Sequence, residues 1–237
     1  MRTITILDIP IRLLPQEKLD EIFDDFVASP GAHHIVTVNP EYIVEAARNP
    51  DFKKILREAD LATADGAGII LAARLRGYHV TLSDRLTGVM LTDTLLRFTQ
   101  QKHLRALILL KHNSITDDTI LLQAVTHRYP SLDITVRREP YSLEELNLLR
   151  PEVIFVALGS PHQDLWITRH QGLIPSCKIA VGVGGTFDFI SGRIKRAPEL
   201  LRSRGLEWLF RLLREPKRFM RIIRATIIFP YLVLTRR

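Results

Sequence analysis

Four short polar clusters in this chain could do chemistry: Thr37-Val38-Asn39-Pro40, Thr63-Ala64-Asp65-Gly66-Ala67-Gly68, Leu158-Gly159-Ser160-Pro161-His162-Gln163 and Gly182-Val183-Gly184-Gly185-Thr186-Phe187-Asp188. Between them they offer hydroxyls, amides, carboxylates and backbone N–H groups that glycine leaves uncovered. That set suits a nucleotide-bearing substrate, because phosphates are bound by N–H groups at loop-to-helix turns. Asp65 stands out, since its neighbours Ala64, Gly66 and Gly68 shield it little. A carboxylate there can take the proton of an attacking hydroxyl; it can equally cap the helix that begins near Gly66. Asn39, ahead of Pro40, has the same two readings, cap or ligand.

Other chemistries have less support. Residues 182–187 follow a truncated G-x-G-x-x-G, with Phe187 at the sixth position and Leu201, Arg202 and Ser203 where a ribose-binding acid would fall. A dinucleotide site is therefore disfavoured, and a tight strand-to-helix turn explains some of these glycines alone. The 8 histidines show no H-E-x-x-H or other tight ligand spacing, so no metal site is expected. Cys177 precedes an apolar run without a partner and reads as a buried, inert thiol. The sequence has no G-x-S-x-G nucleophile elbow, which argues against an α/β-hydrolase.

The elements that must hold the clusters are short apolar runs alternating with helix-patterned segments. Strands are predicted over residues 3–7, 34–38, 104–110, 132–136, 153–158 and 178–183. Those starting at Ile35, Ala106 and Val153 are nearly continuous in apolar residues, as strands covered on both faces require. Pro15, Pro40 and Pro50 stand at first helical positions and predict helices through Val27, Arg48 and Ala59. Further helices are predicted over residues 68–76, 90–100, 116–128, 143–149 and 163–170. The pattern predicts an α/β fold, a mostly parallel sheet with helices on both faces. In such a sheet function collects at the carboxyl ends of the strands, so the topology brings the four clusters to one crevice.

The 237 residues are 46% hydrophobic with 12 Gly and 13 Pro, which excludes disordered and collagenous chains and suffices for a self-sufficient core. A single cysteine favours a reducing compartment, and the N-terminal residues lack the pattern of a secretory signal. Charge is unevenly placed. From Arg193 onward thirteen Lys/Arg face three Glu, a balance of +10, while the preceding 192 residues hold 20 basic and 23 acidic groups, or −3. The shift after Lys195 predicts an α/β domain over residues 1–195 and a basic amphipathic helical appendage over 196–237. Within the appendage Leu206, Leu209, Phe210 and Leu213 form a helical apolar stripe. Arg211, Arg214, Arg218 and Arg221 recur at helical spacing, and Pro216 divides the segment into two helices. The apolar run 222–235 is broken by Arg224 and Pro230 and falls short of the roughly 20 residues that cross a bilayer. Such a tail suits an anionic membrane interface; a phosphorylated substrate or nucleic acid would also meet its charge. Nucleic acid fits less well, because no reader motif accompanies the apolar residues of the tail.

Seven motifs follow one another along the chain: Thr37-Val38-Asn39-Pro40-Glu41, Ala64-Asp65-Gly66-Ala67-Gly68, Asp84-Arg85-Leu86-Thr87-Gly88, residues 158–166, residues 182–188, Arg196-Ala197-Pro198 and Gly205-Leu206-Glu207-Trp208-Leu209. In this order, spanning nearly the whole chain, they resemble the WecG/TagA/CpsF glycosyltransferases. The resemblance implies a Rossmann-like enzyme, peripherally attached to the cytoplasmic face of the plasma membrane, that helps to build bacterial cell-surface polymers. It implies transfer of a sugar, typically N-acetylmannosamine from its UDP-activated form, to a polyprenyl-diphosphate-linked N-acetylglucosamine, with inversion by direct displacement.

By position, the resemblance makes Asp65 the catalytic base, Thr37 and Asn39 donor-sugar and active-site polar contacts, and Arg85 part of the active-site arginine motif. Gln163 and the Gly184-Gly185 turn would help to hold the nucleotide, and Arg214, Arg221 and Arg224 would meet the diphosphates and the membrane. Guanidinium groups are well suited to neutralise a leaving diphosphate. No metal or other cofactor is implied, since the UDP-sugar is a substrate. The chain departs from the family pattern at Met90, where many members carry Asp, and at His162 and Asp164, where they carry Lys and Glu. Donor and acceptor choice are accordingly the least specified. The Met90 change raises a non-catalytic, substrate-binding member as the alternative, with a basic nucleic-acid-binding protein more distant. The oligomeric state stays open, a homo-oligomer included.

Overall fold

The computed structural model describes residues 2–216 and 219–236, so Lys217 and Arg218 of the basic series lie outside the described residues. Eight strands, β1 (Arg2–Ile6), β2 (Ile9–Leu13), β3 (His33–Val38), β4 (Leu61–Ala64), β5 (Ala106–Leu110), β6 (Ile134–Arg138), β7 (Val153–Ala157) and β8 (Ile179–Gly182), form one sheet. Their order is β1-β2-β4-β3-β8-β7-β5-β6. Every neighbouring pair is parallel except the β1/β2 hairpin, so the mostly parallel α/β fold expected from the sequence is the one found.

Helices α1 (Leu19–Ala28), α2 (Pro40–Ala46), α3 (Pro50–Glu58), α4 (Ala67–Leu75), α5 (Gly88–Gln101), α6 (Asp118–Arg128), α7 (Leu143–Leu149) and α8 (His162–His170) connect the strands. After β8 come α9 (Thr186–Ile190), α10 (Glu199–Ser203), α11 (Glu207–Arg214), α12 (Phe219–Ile223) and α13 (Phe229–Thr235). Pro40 and Pro50 do open helices, and Asn39 and Asn49 cap them by accepting from Tyr42 N–H (3.1 Å) and Phe52 N–H (3.0 Å).

Three details differ from the sequence expectation. Strand β2 is absent from the predicted runs because Pro10 interrupts it, and β4, a four-residue Leu-Ala-Thr-Ala stretch, reads from the sequence only as a short β-like run ahead of Asp65. Pro15 introduces a short 3₁₀ turn, Gln16–Lys18, before α1. Helix α6 begins at Asp118 and not at Thr116, because the Asp117 carboxylate caps it, accepting from Thr119 N–H (2.9 Å) and Ile120 N–H (3.2 Å).

Side chains alternate across the sheet and bury both faces. On one face Ile35, Leu61, Ile108, Phe155 and Val181 pack against α1, α5 and α6. On the other, Val36, Val38, Ala62 and Ala64 pack under α2, α3 and α4, and Leu107, Leu109, Ile154 and Ala180 under α7 and α8. The strand order reverses between β3 and β8: the chain leaves β3 for β4 on one side and reaches β8 from β7 on the other. The loops therefore part at the carboxyl ends of these two strands and leave a crevice.

The end of the chain folds back onto the body. Phe229 (2% exposed), Leu232 and Val233 join the core cluster of α2, α3 and α4. Arg76, at the end of α4, donates to the carbonyl of Val233 (3.1 Å) and to that of Arg236. Pro230 has no N–H to give the preceding turn, and the helix passes through a π turn, Arg224–Ile228, just ahead of it. Among the described residues no helix is long and apolar enough to cross a membrane.

Truncating Phe229 tests this seat. Phe229→Ala is expected to lower unfolding free energy by about 3–5 kcal/mol in a urea titration. A loss under about 0.5 kcal/mol, the range of surface substitutions, would mean the last helix is not docked.

Candidate active site

Adjacent strands β4, β3, β8 and β7 deliver the four polar clusters to the crevice, in that order across the sheet. Asp65 follows β4, and its N–H donates to Val38 O (2.8 Å), which ties it to the end of β3. Leu86 N–H donates to Ala64 O (3.0 Å), drawing residues 85–88 along β4 and setting the first turn of α5 beside the carboxylate. Thr87 caps that helix by accepting from Met90 N–H (3.3 Å), and Gly88 N–H donates to the Asp65 carboxylate. A side chain beginning at Gly88 would lie 3.5 Å from Thr37 Oγ1 and 3.6 Å from Asp65 Oδ2, so hydroxyl and carboxylate converge on one point. The cap of α4 is Gly66 (φ +93°), so Asp65 is not that cap and its carboxylate faces the crevice side of α5.

The residues after 196 close the other side. The turn at Gly205 (φ +73°) passes so near α4 that an added Cβ would lie 2.7 Å from Ala67 Cβ. Arg85 donates to Arg202 O (3.2 Å), fastening the loop before α5 to α10. This seam brings Glu207, Arg211 and Arg196 into the electrostatic surroundings of Asp65. Burial pushes the Asp65 carboxyl up to about 6 and the Glu207 charge adds to that; the Gly88 N–H, Arg85 and Arg211 oppose it. Arg196 faces both Glu207 and Asp65, and its buried Nε has no hydrogen-bond partner among the described residues. Arg211 lies over the Phe189 ring, 5.0 Å from its centroid.

Thr37, near the end of β3, and Asn39, Asp65, Arg85 and the Gly184-Gly185 turn, in the loops beyond the strands, thus border one crevice. The Asn39 oxygen is engaged as the α2 cap, which leaves its amide N–H groups for other partners. Gln163 is buried beneath the crevice, with Gly184 N–H donating to its Oε1 (3.0 Å). Arg214 is exposed and stacks on Phe210 (5.4 Å), Arg221 pairs with Glu41 (2.7 Å), and Arg224 sits in the π turn. Sequence reasoning did not single out Arg196, Glu207 or Arg211 for Asp65. The available signal was their place in the Arg-Ala-Pro and Gly-Leu-Glu-Trp runs and the Arg211 periodicity, none of which says which side of a helix faces the sheet. Among the described residues no group of three or more His, Cys, Asp or Glu is placed to hold a metal ion.

Residues 4–237 match the Glycosyl transferase WecG/TagA/CpsF family. The chain belongs to this family. The WecG/TagA/CpsF relatives it matches include a Bacillus spizizenii protein named N-acetylglucosaminyldiphosphoundecaprenol N-acetyl-beta-D-mannosaminyltransferase, 34% identical over 80% of this chain and 74% of its own length. A Staphylococcus aureus protein of the same name is 31% identical over 83% of this chain and 78% of its own. The Rossmann-like sheet with its crevice is therefore the body of a WecG/TagA/CpsF glycosyltransferase.

The raised Asp65 carboxyl makes its ionised form a cost to folding. That cost is complete above about pH 6, declines as pH falls toward the ordinary value of 3.8, and is absent below it. A displacement of this size corresponds to about 3 kcal/mol, reduced here because the residue is only half-buried. Asp65→Asn, which keeps an acceptor for Gly88, is expected to be more stable than wild type by about 1–2 kcal/mol at pH 8. Denaturation at pH 8, 6 and 4 should show that advantage shrinking to nothing; a constant difference would contradict the assignment.

Proposed function

We propose that this WecG/TagA/CpsF enzyme transfers N-acetylmannosamine from UDP-N-acetylmannosamine to a polyprenyl-diphosphate-linked N-acetylglucosamine, inverting the anomeric carbon. The observation that carries the reading is the Asp65 carboxylate, half-buried at the end of β4 beside the β3/β8 reversal, near pH 6 in proton affinity and flanked by arginines. Support for the substrates comes from relatives named for that transfer.

The acceptor hydroxyl attacks the anomeric carbon as its proton passes to Asp65. The new C–O bond forms as the bond from that carbon to the diphosphate oxygen breaks, and UDP leaves with the electron pair. At neutral pH a carboxyl near 6 is mostly ionised yet basic enough to accept a proton in the transition state. Thr37 and Asn39 contact the donor sugar, and the Gly184-Gly185 turn, whose Gly184 N–H is held by Gln163, offers the Gly185 N–H to the diphosphate. Arg85 and Arg211 oppose the charge that develops on the leaving group, with no metal in the step.

On this reading the appendage lies on the anionic inner face of the plasma membrane. The α11 face that carries Leu209 and Leu213 supports it by turning outward, while Leu206 and Phe210 are partly covered: Leu213 is 75% exposed, and Trp208, Leu209, Phe219 and Met220 are exposed beside it. Sedimentation with vesicles should show binding to anionic lipid that weakens as salt rises, and little binding to zwitterionic lipid.

The direct test is UDP release with UDP-N-acetylmannosamine and a short polyprenyl-diphospho-N-acetylglucosamine analogue. Release is expected to need both substrates, to be unchanged by EDTA and to fall about 10²- to 10⁴-fold in Asp65→Asn. The rate should climb with pH through about 6 as Asp65 loses its proton, and Glu207→Gln should move that limb to lower pH by removing a like charge. Wild-type turnover by Asp65→Asn would overturn the base.

A further inference from the structure

Beneath the crevice lies a polar cluster that the reaction above does not use. Tyr42 (3% exposed) on α2, Gln163 (2%) and Asp164 (0%) on α8, and His34 (4%) on β3 meet under the turn that follows β8. Gly184 N–H donates to Gln163 Oε1 (3.0 Å), Gln163 Nε2 donates to the Tyr42 hydroxyl (2.7 Å), and that hydroxyl donates to Asp164 Oδ2 (2.8 Å). Asp164 Oδ1 lies 3.4 Å from His34 Nε2. Gly182 passes directly over the cluster, and a Cβ there would meet Gln163 Nε2 and lie 2.9 Å from Asp164 Oδ1.

Proton counting gives this chain a direction. A carboxylate only accepts, so the single phenolic proton of Tyr42 goes to Asp164 and the phenol oxygen accepts from Gln163. The carboxamide must then turn its NH₂ to Tyr42 and its carbonyl to Gly184. The reversed carboxamide would set NH₂ against the Gly184 N–H, and the turn would lose its partner. Burial, and next the Asp164 charge, keep the phenol protonated well above its ordinary range, so the donor is always present. Tyr42 also fixes Asn39 through its backbone N–H (3.1 Å), so one residue ties together the loops on both sides of the β3/β8 reversal. An apolar cluster could fill the same space without desolvating a carboxylate; what the polar set adds is orientation.

We propose that Tyr42, oriented by Asp164, is a positioning residue for donor binding, fixing the Gln163 carboxamide so that the Gly184-Gly185 turn is preset for the donor diphosphate. The proposal rests on the reading of that turn as a donor contact.

Calorimetric titration of the full chain with UDP tests it. Tyr42→Phe is expected to weaken UDP about tenfold and to raise the KM for UDP-sugar while leaving kcat and the acceptor KM near wild type. Asp164→Asn keeps an acceptor for Tyr42, so its UDP Kd should stay within about twofold, whereas Asp164→Ala should match Tyr42→Phe. A folded Tyr42→Phe that binds UDP as wild type does overturns the proposal. Should that variant not fold, the wild type decides: a slowly exchanging Gly184 amide without ligand is expected, and exchange as fast as an open loop overturns it. A wild type that does not bind UDP would sink the donor reading itself; wild-type binding with an indifferent Tyr42→Phe sinks this proposal alone.

Discussion

A carboxylate with little water around it must be given hydrogen bonds and counter-charge by the protein, and Asp65 imposes that demand on every element near it. The Gly88 N–H meets part of it, which requires the first turn of α5 to end up beside the tip of β4. The Leu86 to Ala64 hydrogen bond and the Thr87 cap are what bring that turn there. Arg85 and Arg211 supply positive charge from opposite sides of the crevice, while Glu207 withholds some of the relief. The balance leaves a group that is ionised near neutrality yet retains affinity for a proton, which suits a base better than a fully stabilised carboxylate would.

The sheet makes this arrangement possible. Neighbouring strands that diverge at β3 and β8 leave their loops unable to cover one another, so the polar ends of β4, β3, β8 and β7 face a shared space. Below it the apolar packing is interrupted by Tyr42, Gln163 and Asp164, whose side chains link loops that would otherwise be independent. Rigidity of the crevice thus comes from two sources, parallel strands at the centre and a directed polar chain just under their ends.

What could be read from the sequence follows from range. The central strands announced themselves because residues such as Ala106-Leu107-Ile108-Leu109-Leu110 are apolar on both faces, and α2 and α3 because Asn-Pro pairs cap and open a helix locally. Strand β2 was hidden by Pro10, and β4 showed only as a short β-like run ahead of Asp65, built from small residues whose burial depends on neighbours far along the chain. Asp65 was legible as a chemical group but not as a non-cap, since the Gly88 N–H that claims it comes from another element. The Tyr42 links to Gln163 and Asp164 span 121 and 122 residues, beyond any local pattern. Arg211 and Arg214 are equivalent by spacing, and only the phase of α11 against the body separates the one near Asp65 from the one on Phe210.

That phase is itself set from both ends. At the start of α11, the close approach of Gly205 to Ala67 admits no side chain, so the turn has little freedom to rotate. At the far end, Phe229 and Val233 are buried against the body and Arg76 holds the carbonyls of the last turn. Between these anchors, Arg221 reaches Glu41 in the first turn of α2, two residues from Asn39. The face of α11 left over after both ends are fixed is the one bearing Leu209 and Leu213, with its apolar side to solvent. The contacts that complete the surroundings of Asp65 therefore also force an apolar, arginine-rimmed surface outward. The outward apolar face of α11 and the completed surroundings of Asp65 are two consequences of one docking geometry.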